Sequence, residues 1–462
     1  MPVFSQVAVY LTTLFTSCMM CHGELARLRP GAKNLTSFYL TMSAGGAAGG
    51  LFVAVLSPLL FPALWEYQIG LFLAAALTAL VLFLDKQSWL REQKPWVMPA
   101  MVVAVTIIPG YLVHLKIMEM PSWFIYLYWP TLVLLSVLTL ALALKGGPRW
   151  LYNQDFHWNQ ESVLGGLLLL GIALFWNINQ EVGKDLRRER NFYGALKVYE
   201  ETLPDGSQGV VGLMNGRIVH GTQMEDASQR HVPTTYYAIS SGVGLVLRNH
   251  PARSLGPMRV GAIGLGVGTL ASYSRPGDYY RFYEINPAVV RIARGEGKYF
   301  TYLTDAKGQV DVELGDARLS LEAEAARGEF GKYDVLVVDA FSGDSIPMHL
   351  LTEEAMAVYL KHLRGPDSVI AYHISNIAVD LEPVVAGLAE KFRLQGIYAA
   401  DSEYRGVALR SEWVLVSKSG VAFHDAAILR ATRPLLVDEK GKRKRNPVLW
   451  TDDYSNVITL MR

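Results

Sequence analysis

A glycine turn and three acids, met in order along the chain, carry the chemistry this sequence can do. Gly264, Gly266 and Gly268 alternate with Leu265 and Val267 at the end of an apolar run that begins at Val260. Glycines at that spacing permit a tight turn and let a ligand approach bare backbone, and the surrounding pattern predicts strand, turn and helix. Glu284 ends the next apolar run, Asp316 follows Gly315 after a third, and Asp339 ends a fourth that starts at Tyr333. A carboxylate at the second strand end can accept hydrogen bonds from ribose hydroxyls, and one further along can orient or deprotonate a nucleophile. Thr269 stands where a dinucleotide fingerprint has glycine, so the ordered acids favour an adenosyl-sulfonium ligand over a nicotinamide dinucleotide.

These residues need a scaffold that brings strand ends together. Apolar runs near 259–263, 280–285, 309–313, 334–339, 368–373 and 412–417 alternate with helical patterns, which predicts a mainly parallel, doubly wound Rossmann-like sheet with helices on both faces. Each acid then falls at a carboxyl end, where such sheets bind ligands. Upstream, runs 194–202, 210–214 and 217–223, punctuated by Pro204-Asp205-Gly206 and Asn215-Gly216, predict a small antiparallel β-hairpin lid outside the main sheet. Residues 181–190 read as a charged linker, and 233–247 as a helix opening at Pro233.

The first 178 residues differ in kind. The chain of 462 residues is 51% hydrophobic and 18% charged, and the charge is concentrated after residue 178. Six apolar stretches, near 5–21, 35–62, 66–84, 97–115, 121–144 and 162–178, approach the ~20 residues a helix needs to cross hydrocarbon. The expected organisation is a transmembrane domain over 1–178, a linker and lid over 179–250, and a catalytic domain over 251–462. Gly45, Gly46, Gly49 and Gly50 are small residues suited to helix packing. A net charge of +1 argues against nucleic acid as a partner, while the lipid bilayer is an expected one. Lys and Arg near the spans number eight on one side and five on the other, which taken literally puts the soluble domain outside. The cytoplasmic pool of nucleoside cofactors outweighs that count, so the expected placement is the inner or plasma membrane with a cytoplasmic C-terminal domain. Cys18, Cys21 and His22 match a haem-attachment spacing, but no second ligand is evident and packing is the favoured reading. His220, His349 and His373 share no metal-binding spacing and are read as hydrogen-bonding groups, with no metal expected.

The order of glycine turn, Glu284, Gly315-Asp316-Ala317 and Asp339 resembles the spermidine synthase (polyamine aminopropyltransferase) family, whose domain is like that of class I S-adenosylmethionine-dependent methyltransferases. Phe192-Tyr193-Gly194, His220-Gly221-Thr222-Gln223, the loop from Asp339 to Pro347 and the stretch from Trp450 to Asn456 look like the membrane-fused members of that family. The resemblance covers about residues 190–456. It implies decarboxylated S-adenosylmethionine as co-substrate and a polyamine such as putrescine as acceptor. The nucleoside would lie on Gly264, Gly266, Gly268, Glu284, Asp316 and Ala317, with Glu284 on the ribose, Asp316 on the adenine amino group and Asp339 on the attacking amine. Gln223 and Tyr237 become candidate substrate contacts, and Asp344, Asp452 and Asp453 candidates for steering the distal ammonium. Three departures stand out: Val267 occupies the loop position where the family has an aspartate for the cofactor's amine, Asp339 and Asp344 lie five apart instead of three, and Pro233 to Tyr237 replace a tyrosine-containing acidic motif of the lid region. Val267 favours, as an alternative, a methyl- or other alkyltransferase using S-adenosylmethionine itself. A non-catalytic polyamine or nucleoside sensor, or a transport accessory, is the third class. The oligomeric state stays open, a homo-oligomer included.

Overall fold

The computed structural model describes residues 3–84, 158–182, 185–203, 206, 208–216, 218–341, 347–401, 408–437, 442 and 445–462. The chain divides into two compact units, Met1–Gly183 and Lys184–Arg462.

In the first unit, helix α1 spans Val3–Arg27, α2 Leu35–Leu51, α3 Trp65–Leu84 and α4 Trp158–Val182. After α2 the chain widens into a π-turn, Phe52–Leu56, just before Pro58, whose missing amide and ring disturb the preceding ladder. Among the described residues three helical stretches are long and apolar enough to cross a membrane: Ala32–Leu60, Trp65–Leu84 and Ser162–Asn179. They cover the second, third and sixth expected spans; the first lies within α1, and the fourth and fifth fall outside the described residues. Gln68 of α3 donates to Asn177 of α4 at 3.1 Å. No described neighbour lies within 4 Å of a side chain added at Gly45, Gly46, Gly49 or Gly50.

The second unit opens with four antiparallel strands in chain order: β1 Asp185–Asn191, β2 Gly194–Thr202, β3 Gly209–Asn215 and β4 Ile218–Met224. The charged stretch read as a linker is thus largely a strand. Its charges are matched: Arg188 and Lys197 both pair with Asp185, and Arg187 with Glu189 and Glu296. An edge strand tolerates such a sequence because one side faces no partner strand. Leu196, Val198 and Leu213 pack into the core of the larger domain. The expected helix from Pro233 starts later, as α5 at Gly242–Asn249, where Ser241 caps it by accepting from the Gly244 amide at 3.1 Å. Thr235 has φ +55°, which no helix contains, and this turn carries Tyr237 inward.

The main sheet has eight strands in the order β12-β10-β11-β9-β8-β5-β6-β7. These are β5 Arg259–Ile263, β6 Tyr279–Glu284, β7 Gln309–Leu314, β8 Val335–Val338, β9 Val369–His373, β10 Gln395–Asp401, β11 Ser411–Ser417 and β12 Thr432–Pro434. The strands from β7 through β9 run parallel, and β11 runs antiparallel to both neighbours. Helices α6 Pro287–Ala293, α7 Ala317–Ala326, α8 Glu353–His362, α9 Glu382–Lys391 and α10 Ala426–Ala431 complete the domain. Central strands are buried on both faces: Val260, Ala262 and Val337 enter one core, while Ile263, Leu336 and Val338 enter another. That two-sided burial explains their unbroken apolar runs. The sequence reading missed β10 and β12, because β10 is only partly buried and β12 is three residues long.

From β5 the chain crosses to β6 on one side and later to β8 on the other, so the sheet's switch point lies at the end of β5. There Gly264, Gly266 and Gly268 adopt φ of +101°, +54° and +85°. A side chain on Gly264 would meet the Asp339 carbonyl oxygen at 2.2 Å. The turn leads into a single 3₁₀ stretch, Thr269–Tyr273, in place of the expected α-helix; Pro276 follows closely and cannot continue a helix. Gly264→Ala is expected to destabilise this unit by about 2 kcal/mol, read as a lower melting temperature of the detergent-solubilised chain. An unchanged melting temperature would contradict the close approach.

Candidate active site

A cavity of about 850 Å³ runs along the carboxyl ends of the parallel strands, roofed by β3–β4 and the Tyr236-Tyr237 turn. At one end lies Glu284, at the tip of β6. Its Oε2 accepts from the Leu265 amide at 3.1 Å and its Oε1 from the Asn286 amide at 2.8 Å. Burial raises its pKa, more than these amide donors lower it. Beyond it, Asp316 caps α7 by accepting from the Leu319 amide at 2.9 Å, and its other oxygen lies 3.2 Å from His349 Nε2. Gly315 and Ala317 line the wall beside it.

Asp339 stands at the middle of the cavity, just past β8, with its side chain 6% exposed. The Tyr237 hydroxyl donates to Oδ2 at 2.6 Å, and His373 Nδ1 lies 2.6 Å from Oδ1. Burial, and then the Asp339 charge, push the Tyr237 pKa well above its ordinary value, so the phenol stays a donor. His220 also lines the cavity; burial lowers its pKa although Asp339 opposes the shift, and its Nε2 has no hydrogen-bond partner among the described residues. Past Asp339 lie Tyr236, Phe341, Ser375 and Glu412, the last paired with Arg410 and Arg462.

Of the residues singled out from sequence, Gly264, Gly266, Glu284, Asp316, Ala317, Asp339 and Tyr237 meet at this cavity. Gly268 does not line it and abuts Leu303 instead. Gln223 is spent inside the fold: its amide nitrogen donates to Arg230 O and Thr301 Oγ1, and its oxygen accepts from the Thr301 amide. Asp452 is held by Arg318 and Thr352, and the Arg318 hydrogen bonds bring its pKa down to about 2. Asp453 is exposed and away from the cavity, and Asp344 lies outside the described residues. Val267 is fully buried, packed against Gly221, and offers the cavity nothing. Ser375, Glu412 and Arg410, which the sequence reading passed over, could have been found by extending the strand-end rule to β9 and the antiparallel β11. Among the described residues no group of three or more His, Cys, Asp or Glu is placed to hold a metal ion.

Strand order, glycine turn and carboxyl-edge cavity define a Rossmann-like domain of the class I S-adenosylmethionine-dependent methyltransferase type, preceded by a small β-sheet subdomain. Part of the chain is similar in sequence to a curated polyamine aminopropyltransferase. It is 36% identical over 142 residues to a polyamine aminopropyltransferase of Vibrio vulnificus (strain CMCP6), a match spanning 30% of this chain and 43% of that relative. The chain thus matches less than half the length of that curated relative. Solved structures similar to it include spermidine synthase from Thermotoga maritima, with 15% identity and a TM-score of 0.36 over 58% of this chain and 82% of the other. A probable spermidine synthase from Corynebacterium glutamicum ATCC 13032 gives 16% identity and a TM-score of 0.39 over 57% and 97%. An O-methyltransferase from Bacillus cereus gives 18% and 0.28 over 38% and 82%. No family model matches the chain.

If Glu284 binds a nucleoside through its carboxylate, methylthioadenosine should bind more weakly as pH falls through the raised Glu284 pKa, because protonation removes the acceptor charge. Glu284→Gln should bind at least tenfold more weakly at neutral pH and lose that pH dependence. Calorimetric titration of the full chain at several pH values measures both; equal affinity in wild type and variant would remove Glu284 from the site.

Proposed function

We propose that this protein is a membrane-anchored aminopropyltransferase that moves the aminopropyl group of decarboxylated S-adenosylmethionine to a primary amine such as putrescine. The observation that carries this reading is the buried Asp339 carboxylate at the switch point, sharing one cavity with Glu284 and Asp316 at the preceding strand ends. The Glu284 pKa is raised by burial and, to a smaller extent, by the Asp339 charge. Carboxylates so placed favour a cationic ligand, and both a sulfonium and an ammonium are cations.

In this mechanism Glu284 holds the ribose, Asp316 faces the adenine amino group, and Gly264 and Gly266 keep the cavity floor free of side chains. The acceptor arrives as an ammonium and Asp339 takes one of its protons, with Tyr237 holding the carboxylate in place. The freed nitrogen attacks the carbon beside the sulfonium, and the carbon–sulfur bond breaks with its electron pair going to sulfur, releasing neutral methylthioadenosine. Positioning of the two reactants supplies most of the rate, since the leaving group is already activated.

A second reading, alkyl transfer from S-adenosylmethionine itself, is favoured by Val267, which presents no anion to a cofactor's amine. Incubation with each cofactor and putrescine separates the two: methylthioadenosine is the expected product, S-adenosylhomocysteine supports the alternative, and neither product sinks both. Asp339→Asn is expected to lower kcat by about 10²-fold or more with little change in methylthioadenosine binding. Wild-type turnover in that variant would remove Asp339 from the chemistry.

The apolar helices support a membrane placement, and the proposed one is the inner or plasma membrane with the second unit in the cytoplasm. The chain should resist extraction by alkaline carbonate and leave the membrane only with detergent, and a reporter fused after Arg462 should read as cytoplasmic. An external reporter signal would reverse the orientation.

A further inference from the structure

Both oxygens of Asp339 are engaged, and the two partners differ in kind. Tyr237 is a phenol on the lid side. His373, at the end of β9, is a ring 3% exposed and clamped by three aromatic side chains. Trp413 stacks on it at 4.5 Å between centroids with an interplanar angle of 13°, Phe341 meets it edge-on at 4.9 Å, and Tyr236 lies tilted at 5.0 Å. That clamp fixes the ring plane, and its two nitrogens are then read out by their partners. Nδ1 faces Asp339 Oδ1 at 2.6 Å, and Nε2 faces Ser375 Oγ at 2.7 Å. The Ser375 oxygen in turn accepts from the Glu412 amide at 2.8 Å.

While Asp339 is ionised, one proton of this chain is fixed. A carboxylate donates nothing, so the hydrogen between it and the ring belongs to Nδ1. A neutral ring with Nδ1–H has an accepting Nε2, so the Ser375 hydroxyl donates to it, and the Glu412 amide occupies an accepting lone pair of that hydroxyl. The connectivity is that of a serine–histidine–aspartate triad, but its direction is set for holding a carboxylate. The Asp339 carboxylate sets the tautomer, and Ser375, tethered to the Glu412 amide, completes the chain at Nε2.

We infer that His373, hydrogen-bonded in turn to Ser375, is a positioning residue for Asp339, holding that carboxylate aimed into the cavity. The inference rests on the proposed function only for its kinetic consequences. Outer-shell partners of this kind commonly affect activity by 10–100-fold. The Nδ1–H bond spreads the carboxylate's charge and fixes its rotation, which leaves the outward lone pairs of Oδ1 and Oδ2 for the acceptor nitrogen.

Two independent measurements on the detergent-solubilised full chain test it. In the first, His373→Phe keeps the aromatic clamp filled but removes both hydrogen bonds, and His373→Asn restores a short donor toward Asp339. kcat should fall about 10²-fold in His373→Phe with the KM for acceptor within about threefold, and His373→Asn should recover about tenfold of it. Ser375→Ala should fall about tenfold. Methylthioadenosine binding within about threefold of wild type certifies that each variant is folded. Wild-type kcat in His373→Phe, or no recovery in His373→Asn, overturns the inference. The second measurement needs no turnover: ¹⁵N-histidine-labelled protein should show a strongly downfield proton coupled to Nδ1 of His373, absent in His373→Asn and shifted upfield in Asp339→Ala. A proton found on Nε2 alone overturns the inference. An inactive wild type would sink the proposed function and leave this spectrum to decide on His373.

Discussion

The contact between Gly264 and the Asp339 main chain governs the second unit. At the end of β5 the amide of Gly264 bonds to Tyr283 of β6, while the Asp339 amide bonds to Ile263 of β5. Three strand ends are thereby tied within one turn, and no side chain fits between Gly264 and the Asp339 carbonyl. Because crossovers leave β5 in opposite directions, the helices part at this point and a cavity opens above it. The positions of Glu284 and Asp339 follow from that geometry.

Electrostatics in the cavity are set by burial as much as by contacts. Glu284 is raised by desolvation despite its amide donors, and the hydroxyl of Tyr237 is held protonated by burial and by Asp339. A partly enclosed site with two carboxylates favours a cation over a neutral ligand, since a lowered dielectric strengthens each attraction. The opposite end differs: Glu412 there is already matched by Arg410 and Arg462, so that region adds no free negative charge. The cavity is therefore polarised along its length, with its unmatched acids gathered around the glycine turn.

The first unit has a different surface. Its described helices expose Leu, Phe and Tyr side chains almost throughout, and only scattered residues such as Ala63 and Ala79 are buried. In water such surfaces would aggregate; in hydrocarbon they cost nothing, because lipid tails are as apolar as leucine. The second unit has the reverse pattern, with its large aromatic side chains Trp413, Trp450 and Tyr372 buried and its charges outside or paired.

By itself the sequence determined the alternation of strands and helices, the glycine turn, and the strand-end acids Glu284, Asp316 and Asp339, because periodicity and chain order are local properties that a doubly wound sheet converts directly into position. It also determined which half is apolar enough for a membrane. Only the tertiary structure decided which polar residues are free to act. Gln223 and Asp452 have the right chemistry, yet Thr301 and Arg318 consume them, and a hydrogen-bond partner 78 or 134 residues away has no local signature. The strand at 185–191 was hidden for the same reason, since its charges are stabilised by pairs formed across strands and with Glu296. The setting of His373 between Asp339 and Ser375 likewise needed β8, β9 and β11 brought side by side, and Val267 became intelligible only when Gly221 was seen to make room for it.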